Sequence, residues 1–144
     1  MIIAHHENDT YILNFERGEE LLSSLREFLE KENINAGYFT GLGAAGSLDV
    51  AYYNLETKKF DRHPIHEDVE ILSLVGNIAI LKEEKIIHVH GTFGRKDLST
   101  FGGHLFSLVV SGACEIHLTK LFGAMTREFD ETTGLNLLCS ITTS

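Results

Sequence analysis

The sequence predicts an α+β domain in which one main α-helix packs against a curved, mostly antiparallel β-sheet. Three observations carry this expectation. Apolar residues recur at helical spacing in one stretch, Leu21 to Leu29. From Ala36 onward the period changes to two, with Leu48, Val50 and Tyr52 alternating with Ser47, Asp49 and Ala51. The gaps between strand-like runs are short, whereas parallel strands would require crossover helices for which the chain offers no pattern.

The first strand is expected over Tyr11-Ile12-Leu13-Asn14-Phe15 and is stopped by Arg17-Gly18. The helix follows, with Leu21, Leu22, Leu25, Phe28 and Leu29 on one face and Glu19 and Glu20 placed in its first turn, where acids complement the helix dipole. Strands are then expected over Ala36 to Leu42, Ser47 to Asn54, Val69 to Val75, Asn77 to Leu81, Lys85 to Phe93, His104 to Val110, Cys114 to Leu121 and Leu135 to Cys139. Val75-Gly76-Asn77 and Lys82-Glu83-Glu84 read as tight antiparallel connections. The segments holding His5, His6, His63 and His66 read as irregular.

At 144 residues the chain suits a single domain, 1–144, able to bury roughly two-thirds of its unfolded surface without disulfide or metal staples. Twelve basic residues against 21 acidic ones give a net charge of −9, and the basic residues are scattered. Direct binding to nucleic acid or to anionic membranes is therefore disfavoured, because both rest on clustered lysine and arginine. The longest apolar stretch, Ile71 to Leu81, is interrupted by Ser73, Gly76 and Asn77 and is too short to span a bilayer. The amino-terminal residues lack the basic start and apolar stretch of a signal peptide, so a cytosolic protein is expected. Cys114 and Cys139, without Cys-x-x-Cys spacing, read as small core residues rather than as a disulfide or a thiolate zinc site.

Gly41-Leu42-Gly43-Ala44-Ala45-Gly46 matches the glycine spacing of dinucleotide-binding turns, but strand alternation follows it and the helix precedes it. It reads as a strand connection. His88-Val89-His90 is more informative, since residues two apart on a strand face the same side, with α-carbons roughly 6.6 Å apart. His104 follows His90 after 13 intervening residues and is preceded by Gly102-Gly103, which would let the chain turn back beside the first strand. Three neutral imidazoles suit zinc, iron, copper or nickel and leave a coordination position for water or a substrate. A hairpin with solvent-facing histidines is the other reading. His117, on the Glu115 face of its strand, reads as solvated, and His6 or His66 could complete coordination if its loop folded over. The polar loop Gly94 to Thr100 reads as a solvated hairpin loop, in which Arg95 or Lys96 could instead contact an anionic ligand.

These residues bring a family into view. The chain resembles the plants-and-prokaryotes conserved domain over nearly its whole length. The match rests on Gly18-Glu19-Glu20-Leu21, Gly41-Leu42-Gly43-Ala44 with Leu48, Glu70 to Gly76, His88-Val89-His90-Gly91, Gly102-Gly103-His104-Leu105, Arg127, and Thr133-Gly134-Leu135. The resemblance implies an α+β fold, usually a homotrimer, and in some prokaryotic relatives a metal at the histidines matching His88, His90 and His104. Prokaryotic members are commonly labelled predicted DNA-binding proteins. In plant members an AT-hook binds DNA while this domain mediates protein association, and the Arg-Gly-Arg-Pro core of that hook is missing here. His66-Glu67-Asp68-Val69 also replaces the usual glycine, basic residue and phenylalanine before the strand tied to partner recognition in plants.

The expected function is a cytosolic, homotrimeric, metal-binding domain with a regulatory or assembly role, holding one divalent ion, zinc, at His88, His90 and His104. A small-molecule ligand or a protein partner is compatible with it, and direct DNA binding is doubtful. The alternative is a metal-dependent enzyme acting on a small substrate held near Arg95 and Ser99, with Asp97 as base. A cupin oxygenase also uses His-x-His on a strand but expects a glutamate soon afterwards, and Gly91 to Ser99 contains none.

Overall fold

The computed structural model describes residues 1–139. It contains β1 (Ile2–Glu7), β2 (Thr10–Glu16), α1 (Leu21–Lys31), β3 (Gly37–Asn54), β4 (Lys59–Ile65), β5 (Val69–Leu81), β6 (Glu84–Gly94), β7 (Thr100–Lys120), β8 (Arg127–Asp130) and β9 (Leu135–Leu138). Seven strands form one sheet in the order β1-β2-β7-β6-β5-β3-β4, with every pair antiparallel. Because β7 also pairs with β3, the circuit β3–β5–β6–β7 closes on itself, and β1 and β4 are the outer strands of this sheet. The expected single helix on a curved antiparallel sheet is what the chain forms.

The helix buries Leu21, Leu25, Phe28 and Leu29, the expected face. Its start differs from expectation, for Glu20 is the N-cap and no acid lies in the first turn. The Glu20 carboxylate accepts from the backbone of Leu22 and Ser23, and also from the Leu108 N–H of β7 at 3.0 Å. One side chain thus satisfies the helix start and ties it to the sheet. Glu19 instead binds the terminal amine of Met1 and the Glu16 N–H. At the other end, the buried Lys85 of β6 reaches Glu30 of the helix at 2.6 Å.

Three long strands replace pairs of shorter expected ones. β5 runs straight through Gly76-Asn77, which is not a connection. A Cβ on Gly76 would stand 2.4 Å from the Phe39 ring, so this glycine makes room for a core aromatic rather than a turn. β3 likewise passes through the glycine cluster Gly41 to Gly46, with bulges at Gly41/Gly43 and Gly43/Ala45 and a φ of +149° at Gly43. β7 continues through Ser111-Gly112-Ala113 in the same way. The hairpin at Lys82-Glu83 is as expected, both residues taking the positive φ of a two-residue turn.

β1, β4 and β8 were outside the sequence expectation. β1 and β4 are edge strands whose exposure lacks alternation: all six residues of β1 are exposed, and Pro64 sits on β4 opposite Asp49. An edge position needs neither a core-facing apolar row nor every N–H, so composition does not betray it. His5, His6 and His63 are therefore strand residues, not irregular ones. Cys114 is fully buried, whereas Cys139 is only half-buried and is not a core residue. Among the described residues no helix is long and apolar enough to cross a membrane.

Candidate metal centre

β6 presents two faces. Val89, Gly91 and Phe93 point into the core, and His88 and His90 lie on the opposite, outer face. Register then builds the cluster. His90 is paired directly with His104 of β7, which is in turn paired with Ala51 of β3, while His88 and His90 pair with Asn77 and Val75 of β5. The three imidazoles converge, with ring centroids 5.1, 5.1 and 5.3 Å apart. One ligand atom from each lies within 4.8 Å of the others, and among the described residues this is the one such group of three.

Gly102-Gly103 contributes differently from expectation. The chain reverses at residues 95–99, and both glycines lie within β7. A Cβ on Gly102 would sit 2.4 Å from the Gly91 carbonyl oxygen, and one on Gly103 would sit 2.6 Å from that of Ala51. These glycines allow β7 to approach β6 and β3 closely enough for His104 to meet His90 and His88.

The donor set fits a divalent metal. His88 Nε2 and His90 Nε2 are 3.2 Å apart, near the roughly 3.3 Å that tetrahedral Zn–N bonds of about 2.05 Å would require. Burial, with the neighbouring His88 and His90, pushes His104 down to about 4 from its ordinary 6.5. Burial also lowers His88, assisted by the Arg127 guanidinium and by His90. Both rings are thus neutral at physiological pH, the form that coordinates metal. Cys114 offers no thiolate, for burial raises it to about 12.

A cavity of about 640 Å³ opens beside the histidines, between the outer face of the sheet and the β8–β9 hairpin. Phe60 packs against His104 at 4.9 Å, and Tyr53, Ile87 and Leu135 add apolar wall. Arg127 of β8 is its cation. Nη1 donates to the Asn136 carbonyl at 2.7 Å, Nη2 donates to Asn77 Oδ1 at 2.8 Å, and Nη2 also lies 3.3 Å from His88 Nδ1. Sequence spacing left Arg127 unassigned, because β8 is a four-residue strand with no periodicity to read. Its place in the family pattern was its only signal.

Other candidate residues stand apart. Arg95 is paired with Glu67 at 2.8 Å and lies over the Phe101 ring. Asp97 accepts from the Ser99 hydroxyl and N–H. This loop lies beyond the Gly94–Thr100 pair, four residues along β6 from His90, or roughly 13 Å. Arg95, Lys96, Asp97 and Ser99 therefore do not line the histidine cavity, which corrects the expected substrate position and base. His6 stacks on Tyr11 and bonds the Asn8 carbonyl, and His66 bonds Ser47, so neither joins the cluster. His117 is exposed, as expected.

Comparison with known proteins follows the same pattern. A metal-containing protein from Archaeoglobus fulgidus is 34% identical, with a TM-score of 0.87 over 97% of this chain and 99% of that one. A protein from Bacteroides thetaiotaomicron described as a "putative DNA binding protein" is 31% identical, with a TM-score of 0.90 over 94% of each chain. A plant- and prokaryote-conserved protein from Pyrococcus horikoshii is 29% identical, with a TM-score of 0.87 over 99% of each. Acetolactate decarboxylase from Bacillus subtilis, at 12% identity and a TM-score of 0.57, shares the fold alone. Among curated proteins none matches the chain. The family model of the Plants and Prokaryotes Conserved (PCC) domain matches residues 4–122, and the chain belongs to that family.

Proposed function

We propose that this protein is a cytosolic, homotrimeric metal-binding domain with a regulatory or assembly role, each subunit holding one zinc ion at His88, His90 and His104. The convergence of three imidazoles, two of them held neutral by burial, carries the reading. Three imidazoles with a coordination position left open form a donor set that zinc takes in protein sites. The metal-containing relative from Archaeoglobus fulgidus supports it. The trimer is supported by exposed apolar side chains on the outer face, Tyr38, Leu42, Leu72 and Val75, which are contiguous across β3 and β5 and suit burial against another copy. The DNA-binding description of relatives is not extended to this chain, whose −9 charge opposes a phosphate backbone.

One observation favours a second reading, a metal-dependent enzyme for a small substrate: a cavity of enzyme-site size lies beside the histidines. A bound ion would supply Lewis acidity and an activated water there. The protein's own contribution would be orientation, with Phe60 and Ile87 excluding water and Arg127 positioning an anionic group.

The experiment is elemental analysis of the purified protein combined with light scattering. One zinc per subunit and a mass three times 16.1 kDa across a dilution series is the expected result. A metal-free protein that gains no thermal stability with zinc rejects the metal centre, and a stable monomer rejects the trimer. Submicromolar duplex binding with a steep salt dependence would reject the exclusion of DNA.

A further inference from the structure

We propose that the cavity beside the three histidines binds a small organic carboxylate with an apolar body, its anionic end held by Arg127 next to the metal position. This rests on the metal-centre reading and names the class of ligand for it.

Electrostatics lead the argument. The chain has 21 acidic residues, yet among the described residues no aspartate or glutamate lines this cavity. Neutral imidazole ligands leave the charge of a divalent ion uncompensated, whereas carboxylate ligands would cancel it. Arg127 adds a second positive charge on the same wall. Among the described residues it has no carboxylate partner, unlike Arg62 and Arg95. Its Nε is buried without a hydrogen-bond partner. A half-buried guanidinium without a counterion is costly, and an arriving anion would offset that cost. A positive pocket inside an acidic exterior favours small anions and repels extended polyanions.

The position of Arg127 suits this role. Nη2 lies 3.3 Å from His88 Nδ1, so the guanidinium is one imidazole width from the metal position. A His88 that gives its Nε2 lone pair to a metal carries its proton on Nδ1. Two donors would then face each other, and the Nη2 N–H is released toward the cavity. The planar guanidinium matches a carboxylate in fork geometry. The remaining wall, with Phe60, Tyr53, Ile87 and Leu135, calls for a hydrocarbon or aromatic body, which separates a carboxylate from bare inorganic phosphate.

The test is titration calorimetry of zinc-loaded protein with carboxylates from acetate to phenylacetate, each beside its neutral amide, and with inorganic phosphate. Zinc content and melting temperature are measured on the same samples. The expected result is binding that tightens with the apolar body, at least tenfold preference for carboxylate over amide, and at least tenfold loss in Arg127→Gln with zinc content unchanged. Arg127→Lys, which keeps the charge without the fork, should fall between the two. A wild type that holds zinc but does not distinguish carboxylate from amide overturns this proposal alone. So does a folded, zinc-loaded Arg127→Gln that binds carboxylate as well as wild type, or phosphate binding tighter than every carboxylate. A wild type that never takes up zinc overturns the metal centre and this proposal with it.

Discussion

The two faces of β6 use one stretch of backbone for opposite purposes. Val89 and Phe93 are 1% and 0% exposed and belong to the core. Next to them in sequence, His88 and His90 face outward to the cavity. The inner face is governed by volume, since tightly packed neighbours feel the loss of each methylene. The outer face is governed by charge and lone pairs, and its side chains have space. Strand alternation separates the requirements so cleanly that a change on one face should leave the other working.

The largest expected effect tests the inner face. Phe93→Ala should lower the unfolding free energy by about 3–5 kcal/mol, read from denaturant melts, while the fraction that remains folded still binds one zinc per subunit. Loss of zinc stoichiometry in that folded fraction would show that the faces are coupled.

On the outer face, His88→Ala, His90→Ala and His104→Ala should each weaken zinc affinity by more than about 100-fold, since even outer-shell changes commonly cost 10–100-fold. Metal-free stability should change by less than about 1 kcal/mol, because a domain of this size carries its own core. Unchanged zinc content in all three variants would remove the site. Loss in only the first two would leave His104 as a packing residue against Phe60.

Acid should sharpen the contrast further. His104 titrates at about 4 in the fold against 6.5 ordinarily. Above 6.5 the ring is neutral in folded and unfolded chains alike, so pH has no effect through it. As pH falls from 6.5 towards 4 the unfolded chain takes up the proton first, and the metal-free fold loses stability. Zinc should likewise be retained near pH 6.5 and released on the way down to pH 4, measured as free zinc with a fluorescent chelator. Release complete above pH 6.5 would contradict the burial of the cluster.

The smallest effect is a control. His117, exposed on β7 well away from the cavity, should tolerate alanine with no change in zinc content and within about 0.5 kcal/mol of wild-type stability. A loss of zinc there would mean that an outer-face histidine outside the cluster reaches the metal, breaking the assignment by register.

Much of this was legible in the residues. The helix face from Leu21 to Leu29 and the period-two runs come from local rules of side-chain direction, which hold wherever the element is placed. The pairing of His88 with His90 on one side follows from the same rule. Edge strands β1 and β4 escaped because a strand with little or no core face has little pattern to display. The glycines misled in a consistent way: Gly76 and Gly102 read as turns, whereas each makes space for a Phe39 ring or a Gly91 carbonyl brought there by another strand. Nothing adjacent in sequence announces such a neighbour.

Local periodicity and composition by themselves determined the helix, the antiparallel strand class, the acidic exterior and the two-histidine face of β6, because each depends on residues within one element. Tertiary structure alone decided that His104 would stand opposite His90, that Arg127 rather than Arg95 would overlook the cluster, and that the strands would close into a circuit. Those outcomes depend on register between segments far apart in the chain. A shift of one residue turns every side chain to the other face, and register is set by the packing of the whole inner core rather than by any motif within it.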